Sequence, residues 1–385
     1  MKILSLIYEY PPIGGGGSAV AAALNEALFL HGDDVEVVTS AMAGLPMEEV
    51  VDGVDVHRAK CWRRHRHYST FPELATTLWP AYKRAAKVIE ERRPDVIHTH
   101  FVVPSGIVAR QLAKDFNLPY VLTAHGSDIP GYNPDRFRFL HVLLQPLWRR
   151  IVRDAAAVTS PSEFLARLLK KSLDRTVHIV PNGYSPHVHY GQPKRDLVLV
   201  VARLFPRKGV QHFIESLRGH QTDWDIVVAG DGPQMGQLQA QAREAQVPVR
   251  FLGFVDKDAL RRLYEQARIL VFPSIRENFP MVLLEGMDAG CAVITTDAEG
   301  CAEVIGQAGI VVPKGNAAEI RKSLLALMAD PGQCQALGVL ARERSLQFRW
   351  PRISNQYREL FEQVRQAHVA GQSTSNPRHA HRSGS

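Results

Sequence analysis

The sequence predicts an α/β protein built from two doubly wound domains, each a largely parallel sheet covered by helices. Three observations carry the prediction. Short apolar runs of strand length alternate with longer segments of helical periodicity along nearly the whole chain, the pattern that parallel sheets produce. A stretch dense in turn formers, Pro181-Asn182-Gly183-Tyr184-Ser185-Pro186 followed by Gly191-Gln192-Pro193, divides the alternation into two series. The length of 385 residues suits two or three domains.

In the first series, apolar runs at 3–7, 35–39, 96–98, 120–123, 156–159 and 177–180 read as strands. Helical periodicity fits 18–30, 72–91, 105–116, 138–153 and 162–171. The second series has strands at 197–202, 225–229, 249–252, 269–272, 292–296 and 310–312, with helices between them, notably at 211–217, 235–245 and 257–266. After Pro313 come two helical stretches and a last helix over 354–368. The expected domains are 1–190 and 191–350, then a closing helix, 351–368. The tail 369–385 is rich in Ser, Gly, His and Arg without apolar periodicity and is expected to be disordered. Doubly wound sheets take ligands beyond the C-terminal ends of their strands, so the chemistry is expected there.

Composition narrows the classes. Hydrophobic content of 45% and charged content of 22% are ordinary for a globular protein. No uncharged apolar run approaches the length of a membrane span. The opening Met1-Lys2-Ile3-Leu4-Ser5-Leu6-Ile7-Tyr8-Glu9 is too short and too soon acidic for a signal peptide, and reads as a first buried strand. Cys61, Cys291, Cys301 and Cys334 show no CxxC pair, which indicates neither a disulfide framework nor a zinc site. A cytoplasmic location is the expectation. The net charge of +7 invites anionic partners. Part of it lies in residues 57–68, His57-Arg58-Ala59-Lys60-Cys61-Trp62-Arg63-Arg64-His65-Arg66-His67-Tyr68, which hold no acid. Nucleic acid stacking on the aromatics, an anionic membrane surface and a solvated loop all fit that stretch.

The densest chemistry lies in Glu277-Asn278-Phe279-Pro280-Met281-Val282-Leu283-Leu284-Glu285. Pro280 suits the first position of a helix. Glu277 then stands on the loop before that helix and Glu285 inside it, both flanking the open N–H groups of a helix start, which favour an anion. Carboxylates are good acceptors for hydroxyls, so the pattern suits a phosphate that carries polyols. Arg203 and Lys208, just past a strand of the second series, combine a planar fork and a point charge suited to a diphosphate. Gly14-Gly15-Gly16-Gly17 follows the first strand and precedes a helix, so positive φ and close backbone approach are expected there. Its spacing is not that of a nicotinamide site. His125 ends a strand and could donate to a reacting sugar or phosphate. His98 and His100 are read as projecting from opposite faces of their strand, which argues against a metal site.

Taken in order, Gly15-Gly16 after Pro11-Pro12, "DVIHTH", "LTAHGSD", "PNG", "VARLFPRKG", "AGDGP" and "ENFPMVLLEGMDAGCAVITT" resemble the retaining nucleotide-sugar glycosyltransferases of family 4, and "FRWPRISNQYREL" is similar to their closing helix. The resemblance covers residues 1 to about 366. It implies a GT-B fold, with two facing Rossmann-like domains, a cleft between them and a last helix that crosses back to the first. It also implies metal-independent transfer, without a cofactor, from a nucleoside diphosphate-sugar to a sugar or lipid-linked hydroxyl. By the same resemblance Arg203 and Lys208 grip the diphosphate, and Glu277 binds the donor sugar's hydroxyls. Main-chain groups of Asn278, Phe279, Pro280 and Met281 surround sugar and phosphate, and Glu285 accepts from the ribose. His125 lies by the donor sugar and Gly15 and Gly16 approach the phosphates. Where the family usually has Asp shortly after "PNG", this chain has Ser185. The expected setting is cell-envelope polysaccharide or glycolipid assembly, peripheral at the inner membrane face through residues 57–68, with no nucleic acid partner. A nucleotide-sugar epimerase on the same frame, or a non-catalytic carbohydrate- or nucleotide-binding protein, stands as the alternative.

Overall fold

The structure is a computed structural model. It describes residues 1–66, 69–126, 128–132, 138–172, 175–186 and 191–375, with side chains throughout these except at 138–143, 172 and 373–375. The chain divides into two units, Met1–Gly183 with Trp350–Ser385, and Tyr184–Arg349.

The first unit opens with β1 (Lys2–Leu6), α1 (Gly16–Leu30) and β2 (Asp34–Ser40), then a hairpin of β3 (Glu48–Val51) and β4 (Val54–Ala59). The alternation continues through α2 (Phe71–Arg92), β5 (Val96–His100), α3 (Ser105–Asp115), β6 (Tyr120–Thr123), α4 (Arg138–Asp154), β7 (Ala157–Ser160), α5 (Glu163–Ser172) and β8 (His178–Ile179). Strand order is β3-β4-β2-β1-β5-β6-β7-β8, parallel except for the antiparallel β3–β4 pair. Successive residues of β1 serve opposite faces: Leu4 and Leu6 join a core with α2, α3, α4 and α5, while Ile3 joins another with α1.

The second unit runs β9 (Arg195–Val201), α6 (Val210–Ser216), β10 (Asp225–Ala229), α7 (Met235–Glu244), β11 (Val249–Gly253) and α8 (Lys257–Gln266). It continues through β12 (Ala267–Phe272), α9 (Met281–Asp288), β13 (Ala292–Thr296), α10 (Glu299–Ile305), β14 (Ile310–Val312), α11 (Ala317–Ala329) and α12 (Pro331–Ser345). Its strands are all parallel, in the order β11-β10-β9-β12-β13-β14. That is the third-second-first-fourth-fifth-sixth order of a Rossmann sheet, which reverses between β9 and β12.

The chain then returns to the first unit through α13 (Trp350–Ser375), whose Ile353, Tyr357, Leu360 and Phe361 complete the core under α1. The helix runs past His368 to Ser375, so residues 369–375 are helical rather than disordered; 376–385 lie outside the described residues. The division of units also falls earlier than residue 190. Tyr184 donates its N–H to Phe348 O at 2.7 Å, and this pairing draws it into the second unit.

Both crossings are tied to one carboxylate. Asp288, fully buried at the end of α9, accepts from the Tyr184 hydroxyl at 2.9 Å and from Arg349 at 3.0 Å. Among the described residues no single helix is long and apolar enough to cross a membrane. The pair Ala317–Ala329 and Pro331–Phe348 would pass together, bent by 106°, but Leu324, Leu327, Cys334 and Ala341 of these helices are buried in the cores of the second unit. Replacing Asp288 by Ala should cost the second unit about 3 kcal/mol. That is the low end for a broken internal ion pair, because Arg349 keeps some solvent. The denaturant midpoint of that unit's unfolding measures it, and an unshifted midpoint would remove Asp288 from this role.

Candidate functional site

The order reversal of the second sheet places the ends of β9 and β12 side by side, and the segments that follow them touch. After β9 the chain passes Arg203 and a short 3-10 turn, Pro206–Lys208, to Gly209. Gly209 has φ +69°, and a Cβ there would stand 1.9 Å from Pro273 O, so only glycine lets the turn lie against the segment after β12. Arg207 O then accepts from Ile275 N at 2.8 Å and from Ser274 Oγ at 3.1 Å. This seam brings Lys208 Nζ into an ion pair with Glu277 Oε1, which also accepts from Ser274 Oγ at 3.0 Å. Both charged side chains are largely buried. Arg203 is exposed, its guanidinium 5.7 Å from the Phe205 ring centroid. The two glycines of "AGDGP" follow the same logic: a Cβ on Gly230 would lie 1.9 Å from Ala202 O, and one on Gly232 2.6 Å from Leu204 O.

Glu277 is on the loop before α9 and Glu285 is inside the helix, while Pro280 is its N-cap rather than its first residue. Asn278 is buried, Phe279 and Met281 are half-buried, and a Cβ on Gly300 would lie 1.8 Å from Asn278 O, so α10 presses on the loop. Phe279 packs edge-on to Phe348 at 5.8 Å. Glu285 accepts from the Tyr264 hydroxyl at 2.7 Å. Burial pushes its carboxyl up from the ordinary value, against the pull of Tyr264, Lys257 and Arg261.

In the first unit the same reversal lies between β1 and β5. Gly15 and Gly16 begin α1 and are exposed, and a Cβ on either would meet nothing within 4 Å. Neither has positive φ; of the four glycines expected to allow it, Gly14 adopts it, at φ +106°. Gly14 and Gly17 are crowded: a Cβ on Gly14 would meet Ser18 Cβ at 2.6 Å, and one on Gly17 would meet Phe101 at 2.5 Å and His125 Cγ at 3.5 Å. The helix start and His125 are therefore neighbours.

His125 belongs to a buried cluster. His98 and His100 share a face of β5, as residues i and i+2 of a strand do, with ring centroids 4.2 Å apart; the expectation of opposite faces was mistaken. His100 Nδ1 lies 3.0 Å from His125 Nε2, and His98 Nε2 lies 2.8 Å from Thr123 Oγ1. His100 Nε2 is buried without a partner. A buried N–H without an acceptor is rarer and costlier than a bare lone pair, so His100 carries its proton on Nδ1 and donates to His125. Neutral His125 then holds its own proton on Nδ1. Asp128 fixes the loop by accepting from the N–H groups of Val102 (2.8 Å), His125 (3.2 Å) and Gly126 (3.0 Å). His100 and Asp128 stand inside quoted motifs but gain no site role from sequence, and Ser274 and Tyr264 have no signal of their own. Ser127, inside one motif, lies outside the described residues.

Burial lowers all three histidines, His98 to about 3, His125 to about 4 and His100 well below its ordinary value. Unfolded histidines titrate near 6.5. Below that pH the unfolded chain binds protons that the folded chain refuses, so stability falls from pH about 6.5 toward 4. A His98→Asn variant should show a shallower loss of Tm over this window than the wild type. Identical slopes would mean that His98 is not held neutral.

The basic stretch differs most from expectation. His57, Arg58 and Ala59 end β4. Arg58 is buried and paired with Glu49, and Arg63 is buried and paired with Glu9 at 2.9 Å. Two of the five lysines and arginines expected at a surface are thus internal; His67 and Tyr68 lie outside the described residues.

Two family models match end to end: Glycosyltransferase Family 4 over residues 14–188, and Glycosyl transferases group 1 over residues 188–344. The chain belongs to the group 1, family 4 glycosyltransferases. It is 25% identical over 383 residues to the N-acetyl-alpha-D-glucosaminyl L-malate synthase of Bacillus anthracis, covering 94% of this chain and 98% of that one. To the glycogen synthase of Mycobacterium tuberculosis it is 28% identical over 397 residues, covering 94% of each. The solved structure of Anabaena HepE in complex with UDP superposes with a TM-score of 0.77 at 18% identity, over 94% of this glycosyltransferase and all of HepE. Such a likeness gives the fold, two Rossmann-like domains of the GT-B class.

Proposed function

We propose that this glycosyltransferase moves a sugar from a nucleoside diphosphate donor to a hydroxyl acceptor with retention of anomeric configuration, and that its second unit holds the donor. The Lys208–Glu277 pair at the order reversal carries the reading, because it sets an ammonium for a diphosphate beside a carboxylate for sugar hydroxyls. Arg203 supplies a second cation and the start of α9 supplies backbone N–H groups at Asn278, Phe279 and Met281. Glu285 is assigned to the ribose, Gly15 and Gly16 to the phosphates and His125 to the donor sugar. The UDP and UDP-glucose complexes of HepE favour a uridine nucleotide as the first probe.

In this mechanism the acceptor oxygen bonds to the anomeric carbon on the face from which the phosphate leaves. The carbon–oxygen bond to the phosphate breaks with its electron pair on the phosphate, which takes the acceptor's proton. Arg203 and Lys208 stabilise the charge that develops there. Lys208 also makes Glu277 a poor nucleophile, which favours same-face transfer over a covalent intermediate. Cationic side chains can meet the diphosphate charge, so no metal is required, and turnover should survive EDTA. Reversible, complete loss on chelation would contradict this.

Thermal shift against UDP-glucose, UDP-N-acetylglucosamine, ADP-glucose and GDP-mannose tests the donor class, since a ligand at 100 times its Kd adds about 2.7 kcal/mol. No shift with any of them would sink it. Arg203→Ala and Lys208→Ala should each lower kcat on the order of 10²–10³, and unchanged turnover in both would place the diphosphate elsewhere. The ion pair makes a sharper prediction for Glu277→Gln. Bare UDP leaves the Glu277 carboxylate beside a phosphate with no sugar hydroxyl to satisfy it. The variant should therefore bind UDP at least as tightly as the wild type while binding UDP-glucose more weakly. Calorimetry that finds both weakened equally would deny Glu277 its sugar.

A further inference from the structure

We propose that the first unit docks on the headgroup layer of an anionic phospholipid bilayer, through an aromatic and cationic surface made by the N-terminal half of α2 and the segment around Trp62. Residues 57–68 do not form this surface as a block, since Arg58 and Arg63 are withdrawn into internal ion pairs. The surface is instead assembled from two places in the chain. Trp62 donates its backbone N–H to Thr76 Oγ1 on α2 at 3.1 Å, which fixes the segment on the helix. Along α2, Phe71, Ala75, Trp79 and Lys83 recur at intervals of four and so share an exposed face, about 18 Å long at 1.5 Å per residue.

Three large aromatics stand in solvent on this face, Trp62 48%, Phe71 44% and Trp79 62% exposed. Scattered apolar residues need no explanation, but aromatics gathered on one helix face mark an interaction surface. Their companions are cations. The Arg64 guanidinium lies 4.6 Å from the Trp62 ring centroid, Lys83 Nζ lies 5.1 Å from that of Trp79, and Trp79 stacks on Tyr82. Lys60, Arg64, Arg66 and Lys83 are all exposed.

From Lys60 to Ile89 the sequence has one acid, Glu73, and it is turned inward. Its carboxylate accepts from Thr70 N and Thr70 Oγ1, both at 2.7 Å, and from Arg64 N at 2.9 Å. The Thr70 and Arg64 bonds hold it down to about 2, so it stays charged and occupied. Within this stretch the outward charge is thus of one sign; beside it, the exposed Asp115 of α3 accepts from the Tyr82 hydroxyl at 2.7 Å.

Tryptophan amid lysine and arginine suits the bilayer interface, where the ring meets the acyl boundary and the cation meets phosphate. A second copy of this face would bring like charges together, which disfavours a symmetric dimer. Single-stranded nucleic acid would stack on the rings, Phe71 included; Ala75 between Phe71 and Trp79 offers it neither a stacking plane nor a hydrogen bond, whereas an acyl layer is served by the whole apolar face. The inference does not depend on the donor assignment, and it names the place from which a lipid-linked acceptor would be met.

Co-sedimentation of the full chain with phosphatidylcholine vesicles, with and without phosphatidylglycerol, is the test. Binding should require the anionic lipid and fade with salt. Phe71→Ala with Trp79→Ala should weaken it roughly tenfold, as expected for the loss of two partly inserted rings. Lys60→Glu, Arg64→Glu and Arg66→Glu together should weaken it by roughly a hundredfold or more, at about fivefold for each charge. Both variants should keep the wild-type Tm. Vesicles containing brominated lipid should quench tryptophan fluorescence, less so after Trp79→Phe. The proposal is overturned if the wild type ignores anionic vesicles at low salt, or if both variants bind like the wild type. It is equally overturned if the aromatic variant loses only a self-association seen without lipid, or if single-stranded RNA is retained where vesicles are not.

Discussion

The carbonyl oxygen of Pro273 occupies the space that a side chain at position 209 would need, and the second unit's site is organised around that contact. Because residue 209 is glycine, the turn after β9 and the segment after β12 meet backbone to backbone and exchange the Arg207–Ile275 hydrogen bond. Lys208 and Glu277 are carried into their ion pair from opposite sides of this seam. A side chain at 209 would push the strands' extensions apart and part the two charges, although it would touch neither. The pair is costly in isolation, since each charge gives up water. Ser274 offsets part of that by donating to Glu277. What the arrangement provides is a cation and an anion already oriented before any ligand arrives.

The first unit solves a matching problem with the opposite electrostatics. Its sheet also reverses order, between β1 and β5, and glycines again let a helix start approach the strand ends. There, however, the groups that gather are histidines held neutral by burial, and the buried carboxylate beside them, Asp128, accepts from three backbone N–H groups. His100 does not add charge to His125. It settles which nitrogen of His125 carries the proton, and so whether that ring presents a donor or an acceptor beyond the cluster. The second unit's cluster thus carries fixed charge, and the first unit's carries neutral imidazoles with a set tautomer.

Much of this was legible in the sequence, and the parts that were not share a physical cause. Strands such as 225–229 and 292–296 are buried along nearly their whole length, so they appear as largely apolar runs, and their bounds match; 310–312, at the sheet edge with Val311 exposed, was legible from its three apolar residues alone. The β3–β4 hairpin was missed because Glu48-Glu49-Val50-Val51 lies at the sheet edge, half in solvent, and has no such run. Arg203, Lys208, Glu277 and Glu285 stood out because a charged residue directly after an apolar strand, or inside an apolar helix start, has little structural reason to be there. What sequence could not show was pairing across 69 residues, as between Lys208 and Glu277, or across 104, as between Tyr184 and Asp288. From sequence the run Gly14–Gly17 allows positive φ and close backbone approach, with no sign of which glycine needs which. In the structure Gly14 bears the positive φ, which leaves the next two bare without strain to explain them.

The net charge of +7 is the feature whose meaning the structure changes most. Arginines here are largely a building material. Arg344 donates to the carbonyls of Val304 and Glu303, Arg175 to carbonyls between α4 and β7, Arg349 to Asp288, and Arg58 and Arg63 to glutamates. Arg344, Arg175 and Arg63 each satisfy several acceptors at once with a rigid planar fork, and the charges of Arg58, Arg63 and Arg349 are offset locally by carboxylates. The cations left exposed are then the informative ones. Arg203 stands just past a strand end, five residues before a prearranged ion pair's lysine, and Arg64 and Lys83 lie by the rings of Trp62 and Trp79, with Lys60 and Arg66 exposed in the same segment as Arg64. The first setting suits a diphosphate because the charge is local and flanked by hydroxyl acceptors. The second suits a surface because its charge is spread along a helix and its apolar area is in the open. Counting charges could not separate these two settings; asking which cations already have a partner does.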